Sequence, residues 1–568
     1  MRKKLLLSAI LFVAVFFTNS YGQWSSNPAV NLPICTETGE QVLPKVAVTS
    51  DGGCYITWFD SRNGSYAVYV QKLNQFGGKL FGENGLLVSN NPQSTSLVGY
   101  DMIVDDSSNC IVAFTDTRLG GQITPFVYKI SPTGTMLWGA NGISLNSVST
   151  VYQANPKLAK LSDNSIWVTW IYTSTPRVAK YQRITPGGVK QFAADGLAVS
   201  AAETIDFPSA IGSDNGSVIM MFIGYTGSFI NPANYKIYTQ KFSSTGGSVW
   251  NANFDTVYAL GAGSGFNPPF IYSDGNNGAI YSWNDARPGT SMTSYIQRIN
   301  SAGTKLFPVN GSACNTTAGR VRNTQQACFM TSTNETYVFW KEANSGQTQM
   351  GLYGQRFSPT GDRLWTDAGK EIMPLAALSF STLSTAASDS TVCLYINQSV
   401  DGANTIITAQ KYNRAGATQW MTPFLNVGTA TSSKGNIEGK INYNGMSIVT
   451  WQSSDIFAQN INKNGTLGGP VSVNQISSEI PAGFELKQNF PNPFNPATKI
   501  NFSLKTASVV TLKVFNSLGK EVAVLSEGFQ NAGTYSVQFD ASALTSGVYY
   551  YSIQAGDFHD VKKMLLVK

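Results

Sequence analysis

One bulky ring recurs through most of this chain at a nearly fixed interval. Trp58, Phe114, Trp170, Phe222, Trp283, Trp340, Tyr395 and Trp451 are separated by 56, 56, 52, 61, 57, 55 and 56 residues. Eight copies at one period mean a repeat architecture, in which each unit buries its apolar face against the next. Around three of the rings the wording is nearly constant: "WFDSRNG" from Trp58, "FTDTRLG" from Phe114 and "WNDARPG" from Trp283, with a looser "WKEANSG" from Trp340.

Each unit reads as four short strands, a to d. Strand a ends in an Asp/Asn/Gly turn such as "VAVTSDGG" or "MIVDDSSN", residues that tolerate the positive φ of tight hairpins. Strand b carries the ring. Strand c carries a Gln-Lys/Arg pair and closes on a glycine, as in "VQKLNQFG" from Val70 and "IQRINSAG" from Ile296. Strand d follows, often behind a bulky residue (Trp138, Trp250, Trp365 or Trp420). Four-stranded units repeated radially describe a β-propeller. The expected fold class is therefore all-β: an eight-bladed (alternatively seven-bladed) β-propeller of four-stranded antiparallel blades, followed by a small immunoglobulin-like β-sandwich. Two segments compete to close the ring, "AVNLPIC" ending at Cys35 and "GGPVSVNQ" from Gly468. A charged fraction of 13%, with 53 Gly and 31 Phe, suits short strands and tight turns.

The heptads admit two readings. In the first, each ring packs between blades, the glycine makes the b–c turn, and the Asp and Arg pair within the scaffold. In the second, Asp60/Arg62, Asp116/Arg118 and Asp285/Arg287 line a charged rim that holds a ligand. Tyr172, Tyr225 and Phe229 fall in expected b–c loops, where an exposed ring can stack on a sugar or, equally, pack against a neighbouring loop.

Little else offers chemistry. His559 is the single histidine, so no Ser-His-Asp or Cys-His arrangement can be assembled in the repeats. No zinc spacing, phosphate loop or dinucleotide fingerprint occurs, and neither metal nor cofactor is expected. The formal charge is +6, without a long basic run, so no nucleic-acid footprint exists. A glycosidase needs only two carboxylates. Asp60, Asp116, Asp285 and Glu342 are eligible by type, but a residue that recurs with the repeat is scaffold more readily than catalyst.

The six cysteines form no CxxC pair. Cys35–Cys54 and Cys314–Cys328 are disulfide candidates by proximity, with isolated buried thiols as the alternative. Residues 1–22 have the basic start, the short apolar stretch and the small residues of a secretory signal peptide. No later segment is long and apolar enough for a membrane helix. Residues 23–476 form the repeat domain.

From about Ser477 the wording changes. Residues 477–489 read as a linker, and 490–568 as short strands at sandwich spacing. "NFPNPFNPATKI" (Asn489–Ile500), "VFNSLGKEV" (Val514–Val522), "SGVYYYSIQAG" (Ser546–Gly556) and "KKMLLVK" (Lys562–Lys568) together resemble the type A C-terminal sorting domain of the type IX secretion system of Bacteroidetes. The sorting motif falls on Asn489, Pro491, Asn492, Pro493, Phe494, Asn495, Pro496, Gly519, Gly547, Tyr549, Lys562 and Lys563. The resemblance implies export by the signal peptide, then passage through the outer membrane by partnership with the type IX machinery and its sortase. The product is expected to be secreted or attached to the outer-membrane surface. The expected function is non-catalytic binding of a glycan or protein; the alternative is a carboxylate-dependent, sialidase-like glycoside hydrolase at the propeller mouth.

Overall fold

A computed structural model of the chain describes residues 24–568, apart from 94–97, 149, 230–231, 252, 262, 264–266, 288–290, 378, 389, 421–422, 469–473, 478 and 542–543. The expected signal peptide lies outside the described residues. Those residues form ten four-stranded antiparallel sheets and no α-helix.

Eight sheets follow the repeat. The first comprises Gln41–Val48, Cys54–Asp60, Tyr66–Leu73 and Leu86–Gln93, paired in chain order. Six more follow the same order. The eighth takes Gly435–Ile441, Ser447–Gln452 and Ile456–Ile461, and its fourth strand is Leu32–Cys35 from the other end of the repeat region. Of the two candidate closing segments, the N-terminal one is used. Asn474–Ser477, at the tail of the other, pairs instead with Gly533–Asp540 in the C-terminal region. The first strands of successive sheets are neighbours, and that of the eighth lies beside that of the first, so the array closes on itself.

All eight anchor rings are at most 1% exposed. They lie on b strands within cores that join adjacent sheets: Trp58, for example, packs with Ile34, Ile448 and Ile456. Full burial of such a side chain is worth on the order of 2–3 kcal/mol.

The recurring Gln-Lys/Arg pair ties each unit to itself and to the next. In six sheets the Gln Oε1 accepts the following N–H and an N–H ten residues on, while Nε2 donates to a carbonyl of the c–d connection. Gln297, for instance, accepts from Arg298 (2.9 Å) and Phe307 (3.0 Å) and donates to Pro308 (2.8 Å); Gln71, Gln182, Gln240, Gln355 and Gln410 do the same. A buried amide is tolerated because every polar atom it carries is satisfied. The adjoining Lys or Arg then pairs with an acid at the a–b turn, as in Lys72–Asp51 (3.2 Å), Arg298–Asp274 (2.8 Å) and Arg356–Glu335 (2.6 Å).

A second device joins sheet to sheet. The bulky residue after each c–d turn lies against the turn glycine of the following sheet: Trp24 on Gly77, Phe81 on Gly134, Trp138 on Gly188, Phe192 on Gly246, Trp250 on Gly303, Phe307 on Gly361, Trp365 on Gly416 and Trp420 on Gly465. Trp24 precedes the closing strand, so these contacts run once around the ring without a break. The five indoles in the series also donate to a carbonyl of the next turn, Trp24 to Gln75 at 3.0 Å.

The last two sheets share one core. One contains Asn474–Ser477, Glu485–Leu486, Ala497–Leu504 and Gly533–Asp540; the other contains Ser508–Asn516, Glu521–Gln530, Gly547–Ala555 and Phe558–Leu566. The stretch read as a linker thus contributes short strands to this unit.

The disulfide expectation is corrected. All six cysteines are buried free thiols. Cys35 Sγ lies 3.6 Å from Asp60 at one end of the strand Cys54–Asp60. Cys54 is at the other end, about 20 Å away at the ~3.4 Å rise of a strand. Cys314 and Cys328 sit in separate cores, with Trp340 and with Tyr337 respectively. Burial pushes the Cys35 thiol up to about 11.

Candidate functional site

The b–c hairpins hold the expected Asp and Arg residues in buried pairs. Asp60, 0% exposed, accepts from the Trp58 indole (2.9 Å), the Arg62 backbone N–H (3.0 Å) and the Arg62 guanidinium (2.6 Å). Arg62 lies 4.0 Å over the Tyr69 ring. Asp116 accepts from Arg118, which also donates to Tyr128 Oη (2.8 Å) and the Asn141 carbonyl (2.7 Å) and covers Phe126. Asp285 accepts from Trp283 (2.8 Å) and Arg287 (3.1 Å), with Arg287 over Tyr295. Burial would raise the Asp60 carboxyl, but hydrogen bonds from Arg62 and Trp58 hold it below the usual range. Burial prevails at Asp285, whose carboxyl is raised. Glu342 keeps the same place, accepting from Trp340 and Arg322 at 3.1 Å each. The rim reading is thereby corrected: all six residues are turned inward and engaged within the scaffold, Arg62 also reaching Cys35 on the closing strand and Arg118 reaching Ser89 of the preceding sheet. Of the rings expected in the b–c loops, Tyr225 is buried with its hydroxyl 3.4 Å from Asp206, and Lys180 lies over Tyr172.

The concave feature of the ring lies on its axis. The first strands of six sheets enclose a cavity of about 830 Å³, within the range that holds small ligands. In several sheets a bulge interrupts strand a just before the lining residue, with Pro44, Pro156 and Pro208 inside three bulges. Proline fits there because the extra residue makes no ladder hydrogen bond. Beyond the bulge, one register position opposes the residue preceding the anchor ring. It is occupied by Lys45, Asp101, Lys157, Ser209, Phe270, Gln326 and Glu438 in seven sheets. Sequence reasoning missed this layer. Its signal is a polar or charged residue about thirteen positions before most of the rings, as Lys45 stands before Trp58 and Lys157 before Trp170, with Phe270 before Trp283 as the exception.

Among the described residues lining the cavity, Glu438 is the one carboxylate, against Lys45, Lys157 and Lys440. Glu438 pairs with Lys440 at 3.2 Å and accepts the Val46 N–H at 3.1 Å. Burial would raise its pKa, but Lys440, Lys45 and that N–H hold it below the usual range. Burial lowers the Lys157 ammonium; Asp101 opposes that shift and Lys45 adds to it. Asp101 itself accepts the Leu158 N–H at 3.0 Å. Lys45 Nζ stands 5.5 Å from the Tyr100 ring centroid. Among the described residues, no group of three or more His, Cys, Asp and Glu side chains could hold a metal. The arrangement can bind and orient an anion; among the described lining residues it offers one carboxylate, Glu438, whereas glycoside hydrolysis uses two.

In the C-terminal unit, the Asn/Pro-rich segment folds back on the last strand. Asn489 is buried, its N–H donating to Tyr551 Oη (2.8 Å) and its amide to Pro491 O and Thr498 Oγ1. Asn492 Oδ1 accepts the Leu565 N–H (2.9 Å), and Phe494 is buried with both backbone groups bonded to Leu565 and Val567. Pro493 follows a cis bond, Asn495 is exposed and Pro496 O accepts the Ala541 N–H. Gly519 makes the Asn516–Lys520 turn at φ +73°. Gly547 opens the strand that carries Tyr549, whose hydroxyl donates to Thr545 O, and Lys562 and Lys563 lie on the last strand.

Residues 488–568 match the family described as secretion system C-terminal sorting domain. No curated protein sequence matches the chain. Solved structures similar to it include an alpha-L-arabinanase of Penicillium chrysogenum (12% identity, 56% of this chain and 94% of that one, TM-score 0.32). An endo-arabinase of Bacteroides thetaiotaomicron (13%, 49% and 96%, TM-score 0.27) and a Dyadobacter fermentans protein of unknown function (10%, 56% and 94%, TM-score 0.33) are also similar. Behind its propeller-like repeat region, the chain carries the C-terminal sorting domain of the type IX secretion system.

Proposed function

We propose that the chain is an exported eight-bladed β-propeller that binds a glycan or protein partner without transforming it. An immunoglobulin-like C-terminal sandwich presents it to the type IX machinery and its sortase, which release the propeller or attach it to the outer-membrane surface. The supporting observation is how the carboxylates are used. Asp60, Asp116 and Asp285 are locked to the arginines of their own heptads, and among the described lining residues the axial cavity offers one carboxylate, already paired with a lysine. The test is a glycan array probed with the mature chain, residues 23–568, alongside assays on aryl glycosides and polysaccharides. Selective binding without turnover is expected. Turnover abolished by Glu438→Gln would replace this reading with a glycoside hydrolase.

A further inference from the structure

The axial cavity has two chemically distinct sides. In a ring of eight, the first and fifth sheets face each other across the axis. The first and third sheets contribute Lys45 and Lys157, and the fifth contributes Phe270 and Tyr272. Among the described residues, no carboxylate lies within ion-pair distance of Lys45 or Lys157; the cavity's Glu438 pairs with Lys440. The two ammoniums are half-buried, and Lys45 is near enough to oppose the charge of Lys157. Asp101 and Glu438 act on these two like charges from beyond ion-pair distance and compensate them incompletely, so an anion between them gains charge-assisted hydrogen bonds and relieves their repulsion. Opposite, Phe270 is 37% exposed, with its ring centroid 6.2 Å from that of Tyr272 and the rings stacked side by side. Neutral hydrogen-bonding side chains lie between, among them Gln326, Thr385 and Asn436.

We infer that the cavity is a site for an acidic saccharide, whose anionic group sits between Lys45 and Lys157 and whose apolar ring face lies on Phe270 and Tyr272. The neutral polar residues meet the sugar hydroxyls. The inference rests on the binding reading above and narrows it to one ligand class. A purely anionic ligand would leave the aromatic side unused, and a neutral sugar would leave the ammoniums without an anion at ion-pair distance.

The test is calorimetric titration of the mature chain with three probes: oligogalacturonate, the same oligosaccharide after reduction of its carboxyls to alcohols, and a sulfated oligogalactan. Binding of at least one anionic probe is expected, at least about tenfold tighter than the carboxyl-reduced one and weakening as salt rises. The two anionic arms separate a carboxylate from a sulfate as the group held. Lys45→Met and Lys157→Met should each weaken binding about tenfold, and Phe270→Ala should weaken it without reducing the salt dependence. Lys463→Met, on an exposed turn outside the cavity, should leave it unchanged, and melting curves check that every variant folds. Equal affinity for charged and reduced sugars would overturn the acidic-saccharide site while leaving glycan binding in place. No binding of any probe by a folded chain that is positive on the array would do the same. A chain negative in both experiments would overturn glycan recognition together with this site.

Discussion

Glu335 shows how a single carboxylate is managed in this ring. It is 1% exposed and receives Arg356 from its own sheet and Arg414 from the next, each at 2.6 Å. Burial would raise its pKa, but the hydrogen bonds from the two guanidiniums bring it down to about 2. A folded-state value below the unfolded one makes a contribution that is complete above the ordinary glutamate value of ~4.3 and is lost as pH falls through about 2. Glu335→Gln should therefore flatten the fall in melting temperature between those limits, with a loss on the order of 2 kcal/mol at neutral pH. A variant with an unchanged acid limb would show that the pair contributes nothing there. At this scale the heptads were readable. An indole, an acid and an arginine in seven residues have complementary groups within reach, and Trp283, Asp285 and Arg287 meet as their chemistry requires. Lys45 and Lys157 were not readable as a site, because nothing local shows that residues 112 positions apart share an axis.

Within a unit, the c-strand glutamine and the turn glycine make two predictions. Gln297→Leu keeps the volume but strips partners from the Arg298 and Phe307 N–H groups and the Pro308 carbonyl. The expected cost is on the order of 3 kcal/mol, read as a lowered melting temperature or denaturant midpoint. Gly465 and Gly64 both have positive φ, +85° and +93°. An added Cβ would lie 2.5 Å from the Trp420 ring at Gly465, whereas at Gly64 it meets nothing within 4 Å. Gly64→Ala should cost only the ~1 kcal/mol of a left-handed backbone. Gly465→Ala should cost distinctly more, by about 1–3 kcal/mol of overpacking; equal losses in thermal melts would remove the ring-on-glycine contact as a determinant. The strand pattern and its turns were legible, since Asp, Asn and Gly clusters punctuate alternating apolar runs. The glutamine's role was not, because its partners lie on a connection whose path the pattern does not specify.

For the whole molecule, closure depends on a short N-terminal segment. Leu32–Cys35 completes the eighth sheet, and Trp24 wedges against Gly77 of the first. Deleting residues 24–35 would expose the edge of Ile456–Ile461, where Ile456, Ala458 and Ile461 are buried. Unpaired apolar edges recruit other chains. The truncated chain should melt earlier and form oligomers visible by light scattering; a monomer of unchanged stability would show that the ring closes without this strap. The amino-acid sequence by itself determined the all-β class, the eightfold period, the four-strand unit and the sorting domain, because each is written in local periodicity or contiguous motif. Only the tertiary structure decided which end closes the ring, that the cysteines stay apart, that the heptad acids turn inward, and that Lys45, Lys157 and Phe270 converge on one cavity. Those outcomes depend on distances between residues remote along the chain, and these come into being only when the sheets pack around a common axis.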